Sequence, residues 1–235
     1  YLNMASKLAS SKEDLIHQLF RTILSVSYTD SNFSKLYGER KSILDNFKER
    51  HNEVIDYCKM AKSKQIQEIF YLTDLTQLEK EQVFAFLDKY GDEYERKTLE
   101  NILSVVYPDL YLYLSPYHFK NDFVNSYFQQ YKYQKVINKV FPEFEKIVEE
   151  QSVKRDFTLL FEPRTSKFED IDKNESQLYF IDALGVEYLG YIMSKCHQKG
   201  LEARVTVCYS ELPSLTCFNK EFVQTYEDLG LQVIS

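Results

Sequence analysis

Residues 177–189, Gln177-Leu178-Tyr179-Phe180-Ile181-Asp182-Ala183-Leu184-Gly185-Val186-Glu187-Tyr188-Leu189, decide how the carboxyl-terminal third of the chain is read. Gln177 to Ile181 is a near-continuous apolar run, the pattern of a strand covered on both faces of a parallel sheet, and Asp182 closes it. Val186, Tyr188, Leu189, Ile192 and Met193 then keep helical spacing as far as Gly200, and Ala203 to Tyr209 reads as a second strand. Strand, helix and strand in succession predict a βαβ unit with a right-handed crossover. Upstream, Phe157 to Phe161 forms another short, β-prone apolar run, and Pro163 to Asn174 is polar and rich in turn formers.

Working outward from this unit, the first part of the chain changes period. Leu15, Ile16, Leu19, Phe20, Ile23 and Leu24 share one face of a 3.6-residue repeat, and Ser11 with Asp14 reads as a capping box. Ile43, Leu44, Phe47, Val54, Ile55 and Cys58 also share a face. Thr76 with Glu79 caps a run that stops at Gly91, and a helix through Leu99, Ile102, Leu103 and Val106 ends at Pro108. Twelve Tyr and Phe residues crowd the stretch from Tyr107 to Phe144. Bases stack on such rings only beside a basic groove, so these aromatics are read as core and half-buried interface. The expected architecture is α+β overall: an all-α domain over 1–155, then the beginning of an α/β domain over 156–235.

The chain has 235 residues, 44% hydrophobic and 28% charged, with 6 Gly and 5 Pro, which suits packed domains rather than disorder. Its net charge of −7 is unevenly spread: residues 156–235 hold 13 acidic and 7 basic side chains, leaving 23 and 22 for the remainder. An acidic surface disfavours direct contact with phosphate backbones unless a cation intervenes. Cys58, Cys196, Cys208 and Cys217 form neither a C-x-x-C pair nor a secreted disulfide spacing, so a reducing, cytoplasmic setting is expected. No apolar run is long enough to span a bilayer. Because the chain opens at Tyr1, the lack of a signal sequence carries little weight.

Ligands of an open α/β sheet gather beyond the carboxyl ends of its strands, where Asp182 falls. A carboxylate there is costly to bury unless it is paired, hydrogen-bonded or bound to a metal; alternatively it caps the helix that follows. The second chemical element is Leu212-Pro213-Ser214-Leu215-Thr216-Cys217-Phe218-Asn219. Pro213 keeps Leu212 extended, and Ser214 or Thr216 opens the next helix, as an N-cap or as a metal-activated nucleophile. Glu187 and Glu211 lie near the same crevice without belonging to a motif. His17, His51, His118 and His197 form no H-x-x-x-H pair, and His197 suits the carboxyl end of its helix. Cys217 has no activating partner and is read as packing.

The stretch Tyr179 to Leu189, followed by Leu212-Pro213-Ser214-Leu215-Thr216, resembles the opening of a PglZ domain, a member of the alkaline phosphatase superfamily found in BREX phage-defence systems. The resemblance covers Glu175 to about Tyr226, and a long helical region ahead of the domain is typical of such proteins. It implies that Asp182 is a metal ligand, that Thr216 is both nucleophile and metal contact, and that two divalent ions, commonly zinc, serve phosphoester hydrolysis. It also implies other BREX proteins as partners and a phosphoester substrate, nucleotide or nucleic acid among the candidates. Family members supply further Asp and His ligands downstream, so the chain is read as an amino-terminal fragment with a half-site. The rival reading is a non-catalytic interaction module with an incomplete phosphatase fold. A Rossmann or P-loop nucleotide-binding domain ranks last, since G-x-G-x-x-G and G-x-x-x-x-G-K-[ST] are both missing.

Overall fold

The computed structural model describes residues 1–47, 51–167 and 184–210, together with the single positions 179, 181 and 228. The described residues are mostly helical, with a two-stranded parallel sheet. They divide into two compact units, Tyr1–Phe141 and Pro142–Ser235. The boundary thus falls ahead of the α9 helix (Pro142–Lys154), which groups with the second unit rather than with the helices before it.

The first unit is all-α, and its helices start where the sequence supplies caps. Helix α1 (Leu2–Leu8) precedes α2 (Lys12–Arg21), whose Ser11 side chain accepts the Asp14 N–H at 3.1 Å. The Asp14 carboxylate in turn accepts from Ser10 N–H at 2.8 Å, one residue earlier than in a standard capping box. Helix α5 (Gln77–Tyr90) is capped by Thr76 and stops at Gly91. Helix α6 (Arg96–Val106) ends before Pro108, which opens α7 (Pro108–Leu114) at the position where a missing N–H costs nothing. In α8 (Asp122–Val136), Asn121 caps the start by accepting Val124 N–H at 3.0 Å, and Asn138 takes a left-handed φ of 54° past the end.

One expected face is divided between two helices. Ile43 to Cys58 was to form a single stripe, but α3 (Phe33–Leu44) closes first and α4 (His51–Lys62) begins afresh. Asn46 explains the stop, since its side-chain amide donates to the carbonyls of Ser42 and Ile43, a local bond that competes with helix continuation. Each helix then buries its own stripe: Phe33, Tyr37, Arg40 and Leu44 on α3, and Val54, Tyr57, Cys58 and Ala61 on α4. With Leu19, Phe20, Leu72, Phe86, Leu99 and Leu103 they form the core of this unit.

The second unit departs further from expectation. Phe157 to Leu160 is a short helix, α10, not a strand. It is closed by Phe161 N–H on Phe157 O and exposes Leu159 at 86%, so the apolar run has no sheet face to bury. The strands are β1 (Glu162–Pro163) and β2 (Cys208–Tyr209), paired in parallel with Glu162 opposite Cys208 and Pro163 opposite Tyr209. Helix α11 (Leu189–Gln198) lies in the connection between them, after a 3₁₀ turn at Val186–Tyr188. It ends as expected at Gly200, whose φ of 68° lets Leu201 N–H reach Cys196 O at 2.9 Å in a Schellman-type closure. The expected strand at 177–181 lies mostly outside the described residues. Its described members, Tyr179 and Ile181, are in no strand and are 82% and 66% exposed.

Candidate functional site

Asp182 and Thr216, the residues the sequence marks for chemistry, lie outside the described residues, as do Glu211 and Cys217. What is described are the elements on either side. Leu184 and Gly185 lead into the 3₁₀ turn with half-buried Glu187, and β2 leads through Tyr209 to Ser210, where the segment carrying Thr216 follows. His197 is exposed in the last turn of α11, and Cys196 and Cys208 are half-buried. Among the described residues no three His, Cys, Asp or Glu side chains are arranged to hold a metal ion. Asp182 and Thr216 offer one carboxylate and one hydroxyl, whereas a zinc ion takes about four ligands. As a donor set the two are therefore insufficient by themselves.

The most fully built polar constellation among the described residues is elsewhere, in the core of the first unit. Arg40 projects from α3 and Glu79 from α5, and both side chains are wholly buried, with Arg40 Nη2 3.8 Å from Glu79 Oε1. Arg40 Nε donates to Phe20 O at 3.2 Å and Nη1 to Tyr71 O at 3.3 Å, so one guanidinium ties α2 to the 3₁₀ helix Gln65–Tyr71. Its Cζ lies 4.4 Å from the centroid of the Tyr57 ring, a cation–π contact in a desolvated setting. The hydroxyl of Tyr57 also donates to Tyr71 O, and that of Tyr37 donates to Leu72 O at 2.5 Å.

Glu79 does three things at once. Its carboxylate accepts Thr73 N–H at 3.2 Å and the Thr76 hydroxyl at 3.1 Å, while its own N–H binds Thr76 Oγ1 at 3.2 Å, completing the cap of α5. Burial pushes this carboxyl above its usual range, against the pull of Arg40 and of the Thr73 and Thr76 hydrogen bonds. Glu68, which accepts a hydrogen bond from Gln82, is raised for the same reason. The Cys58 thiol is pushed up to about 12 by burial and by the two glutamates, which rules it out as a nucleophile at neutral pH. The cluster joins helices and offers no reacting group beside a cavity.

A crevice of about 450 Å³ between α2 and α4 lies beside it, lined by Phe20 and Tyr57 together with Asp14, His17, Arg21 and Asp56. Two ion pairs line it, Arg21 with Asp14 at 3.0 Å and Lys59 with Asp56 at 3.4 Å, alongside Glu53. Sequence reading missed the Arg40–Glu79 pair. The available signal was an arginine in phase with the buried stripe of Phe33, Tyr37 and Leu44, and a cap glutamate on the buried side of its own helix.

Compared with known proteins, residues 1–90 match the model of a family described as a domain of unknown function (DUF7863). That segment runs from Tyr1 to the end of α5 and contains the whole Arg40–Glu79 cluster. No curated protein and no solved structure matches the chain.

Proposed function

We propose that this chain belongs to a PglZ-type, metal-dependent phosphoesterase of the alkaline phosphatase superfamily, acting with other BREX proteins in cytoplasmic phage defence. The observation that carries the reading is the order and separation of Asp182 at the end of an apolar run and of Pro213-Ser214-Leu215-Thr216 after the following strand. The parallel pairing of β1 with β2, with α11 in the connection, supports it, because parallel strands joined through a helix are the unit from which such sheets are built. In the sequence β2 is followed by the stretch that carries Thr216, and α/β enzymes place their ligands beyond the carboxyl ends of their strands.

In this reading Thr216 Oγ would form a bond to phosphorus as the bond to the ester oxygen breaks, its proton passing to solvent and the departing oxygen taking one from water. A second attack, by water, would release phosphate and restore the Thr216 hydroxyl. Asp182 would be one of the residues that hold a metal ion. Two divalent ions, zinc by resemblance, would supply positive charge that lowers the pKa of the Thr216 hydroxyl and offsets the charge on the phosphoryl oxygens. The resemblance implies that further Asp and His ligands would complete the set.

The test uses the full-length protein loaded with zinc and assayed on a generic phosphomonoester and phosphodiester. Thr216→Ala is expected to abolish turnover by a factor of at least about 10³, and Asp182→Asn to lower the bound zinc. Full turnover in Thr216→Ala removes the nucleophile assignment. If the wild-type protein neither binds zinc nor hydrolyses either ester, the reading passes to an interaction module. The aromatic ladder on α8 favours that alternative: Phe123, Tyr127 and Tyr131 follow one another at 6.4 Å between ring centroids, and Lys135 lies over the last ring.

A further inference from the structure

The segment Tyr71–Thr76 connects the 3₁₀ helix Gln65–Tyr71 to α5, and its backbone is held in an unusual way. Tyr71, Leu72 and Thr73 are buried to 1% exposure or less. Between Leu72 and Leu75 the only main-chain to main-chain hydrogen bond among the described residues is Leu72 N–H to Ile69 O, long at 3.4 Å. Every other main-chain partner described comes from a side chain. Arg40 and Tyr57 hold the carbonyl of Tyr71, Tyr37 that of Leu72, and Glu79 the N–H of Thr73, so that α3, α4 and α5 each contribute a clasp. Leu75 N–H is taken up by the Thr73 hydroxyl at 3.3 Å.

The closed arrangement leaves one charged donor unsatisfied. Arg40 Nη2 is buried without a hydrogen bond and stands 3.8 Å from its counter-ion, beyond hydrogen-bond range. Desolvating a guanidinium N–H without a partner is costly, and any motion that admits water to it recovers part of that cost. The segment best placed to move is the one that lacks a backbone ladder.

We propose that Tyr71–Thr76 is a strap that opens as a unit while the surrounding helices stay folded, with the Arg40–Glu79 pair as its latch. Closure brings the four clasps from α3, α4 and α5 into register at once, with the Lys41–Asp74 ion pair at 2.7 Å beside them, so they form and break together. Opening exposes the Arg40 guanidinium to solvent and releases the cap of α5 without disturbing α6 to α8, which hold the strap by none of these bonds. The device belongs to the segment matched by the DUF7863 family and is independent of any phosphoesterase chemistry.

Native-state hydrogen exchange of the whole chain, read residue by residue, tests it. The Thr73 and Leu75 amides are expected to exchange at least roughly tenfold faster than those of Leu103 and Val106 in the interior of α6, after correction for intrinsic rates. Tyr37→Phe, which deletes a single clasp and keeps the ring, should lower protection at Thr73 and Leu75 by a further factor of about ten and leave Leu103 within about twofold. Glu79→Gln, which removes the charge of the latch, should do the same more strongly. If Thr73 is protected as well as Leu103 in the unmodified protein, or if both variants lower protection everywhere alike, the strap opens only by global unfolding and the proposal fails.

Discussion

The helical unit Tyr1–Phe141 and the unit Pro142–Ser235 handle their apolar residues in opposite ways. In the first, Ile23, Leu72, Val83, Leu99 and Leu103 are fully buried, and even charged Arg40 and Glu79 are enclosed. Among the described residues of the second, Phe144 is the one large apolar side chain that is buried, while Leu159, Tyr179, Ile181 and Leu201 are each more than 60% exposed. The difference follows from what each kind of element needs. Amphipathic helices cover one another pairwise, so local periodicity plus short loops suffice for a core. A parallel ladder of two residues per strand covers neither face, because such sheets become buried only when helices pack on both sides. Stability in the first unit therefore depends on single side chains, and in the described part of the second it does not.

The largest expected break in that comparison comes from Arg40→Met. It leaves the Glu79 carboxylate buried without a counter-charge and should destabilise the first unit by about 3–5 kcal/mol in urea unfolding at neutral pH. A loss below about 1 kcal/mol would mean the pair contributes little. The same site predicts a pH dependence. The folded-state pKa of Glu79 lies above its unfolded value of about 4.5, so its favourable contribution is complete below that pH and is lost as pH rises through the raised folded pKa. The stability difference between the wild-type protein and Glu79→Gln should accordingly shift against wild type as pH rises from about 4.5 toward neutrality, and a flat difference would contradict it.

Next in size is Gly91→Ala. An added Cβ would stand 2.6 Å from Cγ2 and 3.0 Å from Cβ of Ile137, at the junction where Asn138 also binds Asp88. About 1–3 kcal/mol of overpacking strain is expected, with recovery in the double variant Gly91→Ala, Ile137→Ala measured as a coupling energy. The smallest effect belongs to the second unit. Leu159→Ser, at 86% exposure, should change thermal stability by no more than about 0.5 kcal/mol. A larger loss would show that this side chain is covered in solution and would narrow the contrast between the units.

How far the sequence could be read depended on how local the responsible force is. Ser11, Thr76, Pro108 and Gly200 each act within a few residues of a helix end, and each ends or begins a helix where its chemistry requires. Phe157 to Phe161 misled, because so short a β-prone run carries no period of its own and a helical turn over Phe157–Leu160 satisfies its backbone as well as a ladder does. Asn46 was missed as a terminator, since a side chain that caps carbonyls three and four residues back leaves the apolar pattern intact. The candidate chemistry at Asp182 and Thr216 was found by residue order and resemblance, and these positions lie outside the described residues.

By itself the sequence determined that the first part of this protein is helical, where α2 and α5 begin and where α5 and α6 end; Asp182 and Thr216 are candidates for phosphoester chemistry by resemblance. Caps, prolines and periodic apolar stripes act over one or two turns, and a chain carries that information without knowing its neighbours. Only the tertiary structure decided that Arg40, Tyr37, Tyr57 and Glu79 converge on the carbonyls and amide of Tyr71 to Thr73. Those side chains come from three helices, and burying a charge is tolerable only where a specific distant partner arrives to meet it.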